Sequence, residues 1–476
     1  MNQSSYFSPI SEELLKKCKA PESLKRDPTR TIYTNRTLDL NEIKAVGFDM
    51  DYTLANYHKK SMENLQYKQT IDYLVKKLNY PATLYQLNYD SSLSIRGLVL
   101  DKRRGHLLKM DMHGNVWRAM HGYRHLSSEE FNKIYKHKKI KITKDYASLD
   151  SLFAIPEASL FCDLVNLFSK DTSIKYGKLF EDIRSSIDVI HSDGSLKAII
   201  SKDLSTYIES HPDIGLMLHK LRSSGKKVFL LTNSHLNYTE TVMSYLLDNW
   251  HSYFDFIITA SQKPAFFTEK RPFKQLQPGS QHRIFEGGNI HDFEKIAQVR
   301  GSEILYVGDH IYGDIVRSKK STLWRTCLIV EELPKEIEHY IRYKSDLEHM
   351  SNIDSERLKL DSDIGEHRVL LAYLDAAKQD TEAAKLRKEM EKAKKYLAYL
   401  DDQMNDMQDA FERRFHPFWG ELFHEHHDLS RFGTQVRGYS CIYTGKVTNL
   451  LHYSPLHSFR KSSELMSHDQ QFHQTI

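Results

Sequence analysis

Residues 48–54 read FDMDYTL and follow the apolar run IKAVG at 43–47. The run reads as a buried strand, and two carboxylates, Asp49 and Asp51, stand where it ends. Like charges this close repel, and a buried charge costs several kcal/mol unless it is compensated. A divalent cation between them removes the repulsion. Mg2+ takes oxygen ligands, few of them from protein and the rest from water and phosphate. With such an ion in place, one carboxylate can attack phosphorus. The second can give a proton to the leaving oxygen and then take one from water.

Three later segments end in the same way: KVFLLTNS (227–234), FDFIITAS (254–261) and EILYVGD (303–309). Helix-like text at 212–224 and 238–250 lies between them. Strands alternating with helices predict a parallel α/β sheet of the Rossmann-like kind, whose function collects at the carboxyl ends of its strands. Those ends supply the parts that phosphoryl transfer requires, namely positioning and positive charge. Thr232 offers a hydroxyl with Asn233 and Ser234 beside it, and Lys263 in ASQKP offers a point charge for a phosphoryl group. Asp309 and Asp314 in VGDHIYGD add two more carboxylates, on a loop that Gly308 and Gly313 permit. Singly, an Asp-x-Asp or a Thr-Asn after a strand reads as an ordinary turn or cap. It is their order at four strand ends that makes them specific.

The stretch 61–200 interrupts this core, which takes residues 41–60 and 201–334. It carries an antiparallel meander, IRGLVLDKRRGHLLKMDMHGNVWRAM, with turns near Arg104-Gly105 and His113-Gly114, followed by helical text. An insertion of this size between two sheet strands reads as an α+β cap. Residues 1–40 read as an N-terminal arm and 335–476 as a helical C-terminal region. Within the latter, Leu386, Met390, Ala393, Leu397, Leu400, Met404, Met407 and Phe411 keep a 4-3-4-3 spacing. That is a coiled-coil-like seam, fit either for assembly or for packing within its own domain.

The formal net charge is only +4, which argues against bulk nucleic-acid binding. The basic run KIYKHKKIKITK (133–144) reads as a solvated cap surface. Cys18, Cys162, Cys327 and Cys441 show neither zinc spacing nor a disulfide framework, so a reduced cytoplasm is expected. The N-terminus has no leader pattern, and no apolar stretch approaches the ~18 residues of a membrane span.

DMDYT, LLTNS, QKP and GDHIYGD resemble the four motifs of the haloacid dehalogenase superfamily. The resemblance implies Asp49 as nucleophile and Asp51 as acid/base, with the Asp51 backbone carbonyl on Mg2+. It also implies Thr232 and Lys263 as phosphate-side residues, Asp309 as metal ligand, and Asn233 and Asp314 in support. An Asp at position 51 is what it assigns to phosphatases. Thr53 belongs to the first motif, with the expected job of shaping the turn.

The longer matches FDMDYTLANY, RGLVLD, IDVIHSDGSLK, QKPAFF and YVGDHIYGDI resemble the cytosolic purine 5′-nucleotidases of the IMP–GMP-preferring type. This implies a nucleoside monophosphate substrate whose 6-oxopurine is read by cap residues. Arg184 would donate to O6 and N7 and Asp188 would accept from N1–H, with His191 and Lys197 in the pocket and Tyr123 stacking on the base. Spacing alone reads Arg184 and Asp188 as a surface i, i+4 pair. Arg124 and Ser192 depart from the pattern, where Asn and Tyr are usual. Tyr312 and Lys320 match a nucleotide effector site, or else are core and surface. The family assembles as a homo-oligomer, a tetramer or a dimer. Transfer to a nucleoside hydroxyl, hydrolysis of another small phosphate ester, and a non-catalytic nucleotide-binding role are the competing readings.

Overall fold

The computed structural model describes residues 27–171, 173–276, 283–311 and 323–464. Cys18, Tyr312, Asp314 and Lys320 lie outside the described residues, so the effector pair and the supporting carboxylate have no placement here.

The core is a nine-stranded sheet. In spatial order its strands are Tyr33–Thr34, Ile442–Thr444, Arg325–Ile329, Ile304–Gly308, Ala45–Phe48, Lys227–Leu231, Phe256–Thr259, Ile284–Gly287 and Phe273–Leu276. The two edge strands are antiparallel to their neighbours, and the seven between them are parallel. Ala45–Phe48 is central and fully buried, as a strand covered on both faces must be. Its Gly47 is required by packing. A Cβ there would meet the Phe229 ring at 2.1 Å, because Phe229 is its register partner on the next strand. Phe229 is itself fully buried, a burial that contributes about 1.5–3 kcal/mol.

The inserted segment is entered and left through two short strands, Asn56–Tyr57 and Ile208–Glu209, that pair antiparallel. Between them lies a five-stranded antiparallel sheet in which Val99–Asp101, His106–Met110 and Val116–His121 are the meander read from sequence. Helices Lys59–Leu78, Ala154–Leu167 and Tyr176–Ser192 pack their apolar faces into one cap core. No helix of the described residues is long and apolar enough to cross a membrane.

Two expected boundaries change. The chain is folded well before residue 41: Tyr33–Thr34 is an edge strand of the core sheet, and Leu38–Asp39 pairs with Ser458–Phe459. The C-terminal region is not solely helical, since Ile442–Thr444 extends the same sheet. These strands are two or three residues long, too short for a periodic signal.

The 386–411 seam is covered from within the chain. Helices Lys344–Ala376 and Asp380–Phe415 form an antiparallel hairpin. Leu400, Met404 and Phe411 pack against Met350 and Ile353, and the pairs Arg357–Asp401 (2.6 Å) and Arg387–Asp375 (2.7 Å) run alongside. The segment after the hairpin locks the cap. The Lys109 ammonium donates to the carbonyls of Trp419, Glu421 and His424 at 2.6–2.8 Å and pairs with Glu425. The Trp419 indole donates to the Leu93 carbonyl at 2.8 Å.

Candidate active site

Four carboxyl ends of the parallel sheet converge. The Asp49 backbone N–H donates to the Val307 carbonyl at 2.9 Å, which sets Asp49 beside the loop that begins at Asp309. Its carboxylate accepts from the Met50 N–H at 2.8 Å and pairs with the Lys263 ammonium at 2.8 Å. Lys263 also donates to the Tyr306 hydroxyl at 2.8 Å, which in turn donates to the Leu231 carbonyl. The charge of Asp49 is therefore offset directly by Lys263, a residue that the sequence reading gave to the incoming phosphate. Asp49, Lys263 and Asp309 are all buried.

Asn233 clamps the second and third loops together. Its amide donates to the Lys263 carbonyl at 3.1 Å, and its oxygen accepts from the Lys263 N–H at 2.5 Å and the Ser261 hydroxyl at 3.0 Å. The buried Thr232 hydroxyl accepts from the Ser234 N–H at 3.0 Å. The first loop turns through Tyr52 in the left-handed region, φ 54°, so that Thr53, Leu54 and Ala55 all donate to the Met50 carbonyl. Thr53 is fully buried in this turn.

Asp51 accepts from the Tyr57 hydroxyl at 2.6 Å on one oxygen and from the Ser234 hydroxyl at 3.1 Å on the other. Burial and then the Asp51 charge hold the Tyr57 hydroxyl well above its ordinary pKa, so it remains a donor. Asp51 faces a cavity of about 370 Å³ shared with Asp188, His191, Ser192, Lys197, Asn233 and Tyr238. The Asp193-Gly194 turn, with Gly194 at φ 83°, starts helix Ser195–Lys202 and brings Lys197 to this wall. Lys197 donates to the Ser234 hydroxyl at 3.2 Å.

The His191 ring stacks edge-on to Phe153 at 5.1 Å, and its buried Nε2 has no hydrogen-bond partner. Burial, then the charge of Lys197, pushes its pKa from 6.5 down to about 4. Folded, it binds fewer protons than unfolded, so it withdraws stability as pH falls from 6.5 toward about 4. An NMR titration of His191 is expected to show a neutral ring down to about pH 5 and a midpoint near 4. A midpoint near the unperturbed value of about 6.5 would contradict this environment.

Two residues, Arg184 and Tyr123, stand differently from expectation. Arg184 does not face the Asp188 cavity. Its Nε donates to the buried Glu157 at 2.7 Å, and it lines a neighbouring cavity of about 350 Å³ with Asp150, Ser151 and His310. Burial pushes Glu157 up to about 7, against the pull of Arg184. Tyr123 is half exposed, and its hydroxyl donates to Asp163 on the cap, away from the Asp188 cavity. Arg124 is exposed and pairs with Glu130 at 2.7 Å.

Sequence reasoning missed Tyr57, Tyr238, Tyr306 and Arg96. Tyr306 had a signal, because a tyrosine inside an otherwise apolar strand needs a partner for its hydroxyl. Arg96 had one too, as a guanidinium leading into the apolar GLVL. It is fully buried, forks onto Glu332 through Nε and Nη2, and donates from Nη1 to the Asp309 carbonyl at 3.3 Å.

Residues 32–471 match the model of the 5′ nucleotidase family. The chain belongs to the 5′-nucleotidase family. A 5′-nucleotidase domain-containing protein of Dictyostelium discoideum is 30% identical over 471 residues, covering 93% of this chain and 75% of that protein. Among solved structures, a predicted phosphoglycolate phosphatase from Haemophilus somnus 129PT is similar at 12% identity over 61% of this chain and 86% of that one, TM-score 0.28. A 2-haloacid dehalogenase from Pseudomonas syringae pv. tomato DC3000 is similar at 14% identity over 60% and 86%, TM-score 0.23. This 5′-nucleotidase family member is a phosphoric monoester hydrolase built on a parallel α/β sheet.

Proposed function

We propose that the chain hydrolyses 6-oxopurine nucleoside 5′-monophosphates, IMP and GMP, with Mg2+, through an aspartyl-phosphate on Asp49. The observation that carries this reading is one cavity that holds both the Asp51 carboxylate and the Asp188 carboxylate. The first serves the reacting phosphate and the second a base. Asp49 attacks phosphorus, and the departing 5′-oxygen takes its proton from Asp51. Water then gives a proton to the Asp51 carboxylate and attacks the aspartyl-phosphate, which releases phosphate, restores the Asp49 carboxylate and returns Asp51 to the acid form in which it began.

The donor set fits Mg2+: the carboxylates of Asp49 and Asp309 and the carbonyl of Asp51 are hard oxygens at the ends of adjacent strands. Bound there, the ion would offset charge on the phosphoryl oxygens. Asn233 holds Lys263 in place, and Lys263 serves Asp49 and the arriving phosphate in turn.

Base choice is assigned to Asp188 and His191. A carboxylate accepts from N1–H of a 6-oxopurine and from the 2-amino group of guanine. Adenine lacks the N1–H, so a base seated over Asp188 would lose that hydrogen bond. His191, whose buried Nε2 has no hydrogen-bond partner among the described residues, lines the same cavity and is a further polar group for the ligand. With Arg184 held by Glu157, Asp188 reads the base without it.

The test is phosphate release from a panel of nucleoside monophosphates with Mg2+. IMP and GMP are expected to exceed AMP by about 10- to 100-fold in kcat/KM. Flat activity across bases would remove Asp188 from base recognition.

A further inference from the structure

We infer that Tyr57 positions Asp51 for proton transfer, and that the cap supplies the far end of its support through Lys197. The inference rests on the phosphatase reading above and concerns residues that reading leaves unused.

The direction of each hydrogen bond follows from what each group can do. An ionised carboxylate only accepts, and an ammonium only donates. With Asp51 ionised, the single Tyr57 proton goes to its Oδ1, at 2.6 Å. The 3.0 Å contact between the Tyr57 and Tyr238 hydroxyls must then run from Tyr238 to Tyr57. On the other side, Lys197 donates to Ser234 at 3.2 Å, and Ser234 passes its own proton to Asp51 Oδ2 at 3.1 Å. The two branches meet at the same cation, since the Lys197 ammonium lies 5.0 Å from the Tyr238 ring centroid. Each oxygen of Asp51 is thus held by a hydroxyl, and each hydroxyl is held by a further group.

The placement of these groups gives the network its use. Ser234 and Tyr238 belong to the core. Tyr57 is on the strand that leads into the cap, paired with Ile208 on the strand that returns from it. Lys197 alone comes from the cap, on helix Ser195–Lys202. Asp51 is therefore fully harnessed only with that helix seated over the core. Displacing it removes the donor to Ser234 and the charge over Tyr238 together, so cap position and proton transfer are coupled.

The test compares two leaving groups. A ribose 5′-oxygen leaves as a strong base and needs the Asp51 proton. The phenolate of p-nitrophenyl phosphate leaves without one. Tyr57→Phe keeps the ring and its packing on Tyr52 at 5.0 Å and removes only the donor. With Mg2+, its kcat/KM for IMP is expected to fall about 10- to 100-fold while that for p-nitrophenyl phosphate stays within about threefold. Tyr238→Phe should show the same selectivity with a smaller loss. Parallel losses on both substrates in both variants would reduce Tyr57 to a packing residue and overturn the inference. An active Asp49→Asn would instead overturn the phosphatase mechanism itself, so the two failures are separable.

Discussion

Asp49→Asn is expected to abolish phosphate release from IMP and GMP, a loss on the order of 10⁴-fold or more in kcat. The amide preserves shape and can still accept from the Met50 N–H through its oxygen. It has no anionic oxygen with which to attack phosphorus. The substitution also breaks the 2.8 Å pair with Lys263. Lys263 retains its donation to Tyr306, so the fold should persist and circular dichroism should match the parent. Turnover within tenfold of the parent in a folded variant would remove Asp49 from the chemistry.

Arg96→Met is expected to have the largest effect on stability, about 3–5 kcal/mol, because it strips the partner from a buried charge. The guanidinium is fully buried, stacked 5.0 Å from the Phe432 ring and forked onto Glu332. Burial alone pushes the Glu332 carboxyl up, but the charge and hydrogen bonds of Arg96 outweigh it and hold the group below its ordinary 4.5. A depressed native pKa stabilises the fold above 4.5, and that contribution is lost as pH falls through the native value. Urea denaturation should therefore show a large gap between parent and Arg96→Met at neutral pH that narrows below pH 4.5. Arg96 also donates to the Asp309 carbonyl, so the Mg2+ concentration needed for half-maximal activity should rise in the same variant. An unchanged urea midpoint would contradict this account of the Arg96–Glu332 pair.

Much of the core was legible because parallel strands announce themselves. AVGF, KVFLL, FIIT and ILYVG are buried on both faces, so they read as unbroken apolar runs with polar residues at their ends. Asp49, Asp51, Thr232, Lys263 and Asp309 stand at that punctuation, and their order at four strand ends, together with the family resemblance, makes them candidates. What was not legible depends on distant partners. Tyr33–Thr34 is a strand only because it finds Ile442–Thr444, more than 400 residues on in the chain, which itself pairs with Arg325–Ile329. The 386–411 seam has a clear heptad, yet a heptad does not say whose helix covers it. Here the preceding helix does.

The side chains around the site divide in the same way. The i, i+4 spacing of Arg184 and Asp188 is a fact of one helix. Which cavity Arg184 faces is set by Glu157 on another helix, a fully buried acid with no local signal. Tyr57 stands six residues after Asp51, a spacing that no periodic pattern marks, and it reaches the carboxylate only because the first loop turns back through Tyr52.

The central claim is that phosphate passes through Asp49. Mass spectrometry of enzyme mixed with IMP and Mg2+, then quenched in acid, tests it most directly. A phosphoryl group is predicted on the peptide that contains Asp49, released by hydroxylamine and absent in Asp49→Asn. Steady turnover of IMP with no such adduct in the quenched enzyme, or an adduct on any other residue, would contradict the account.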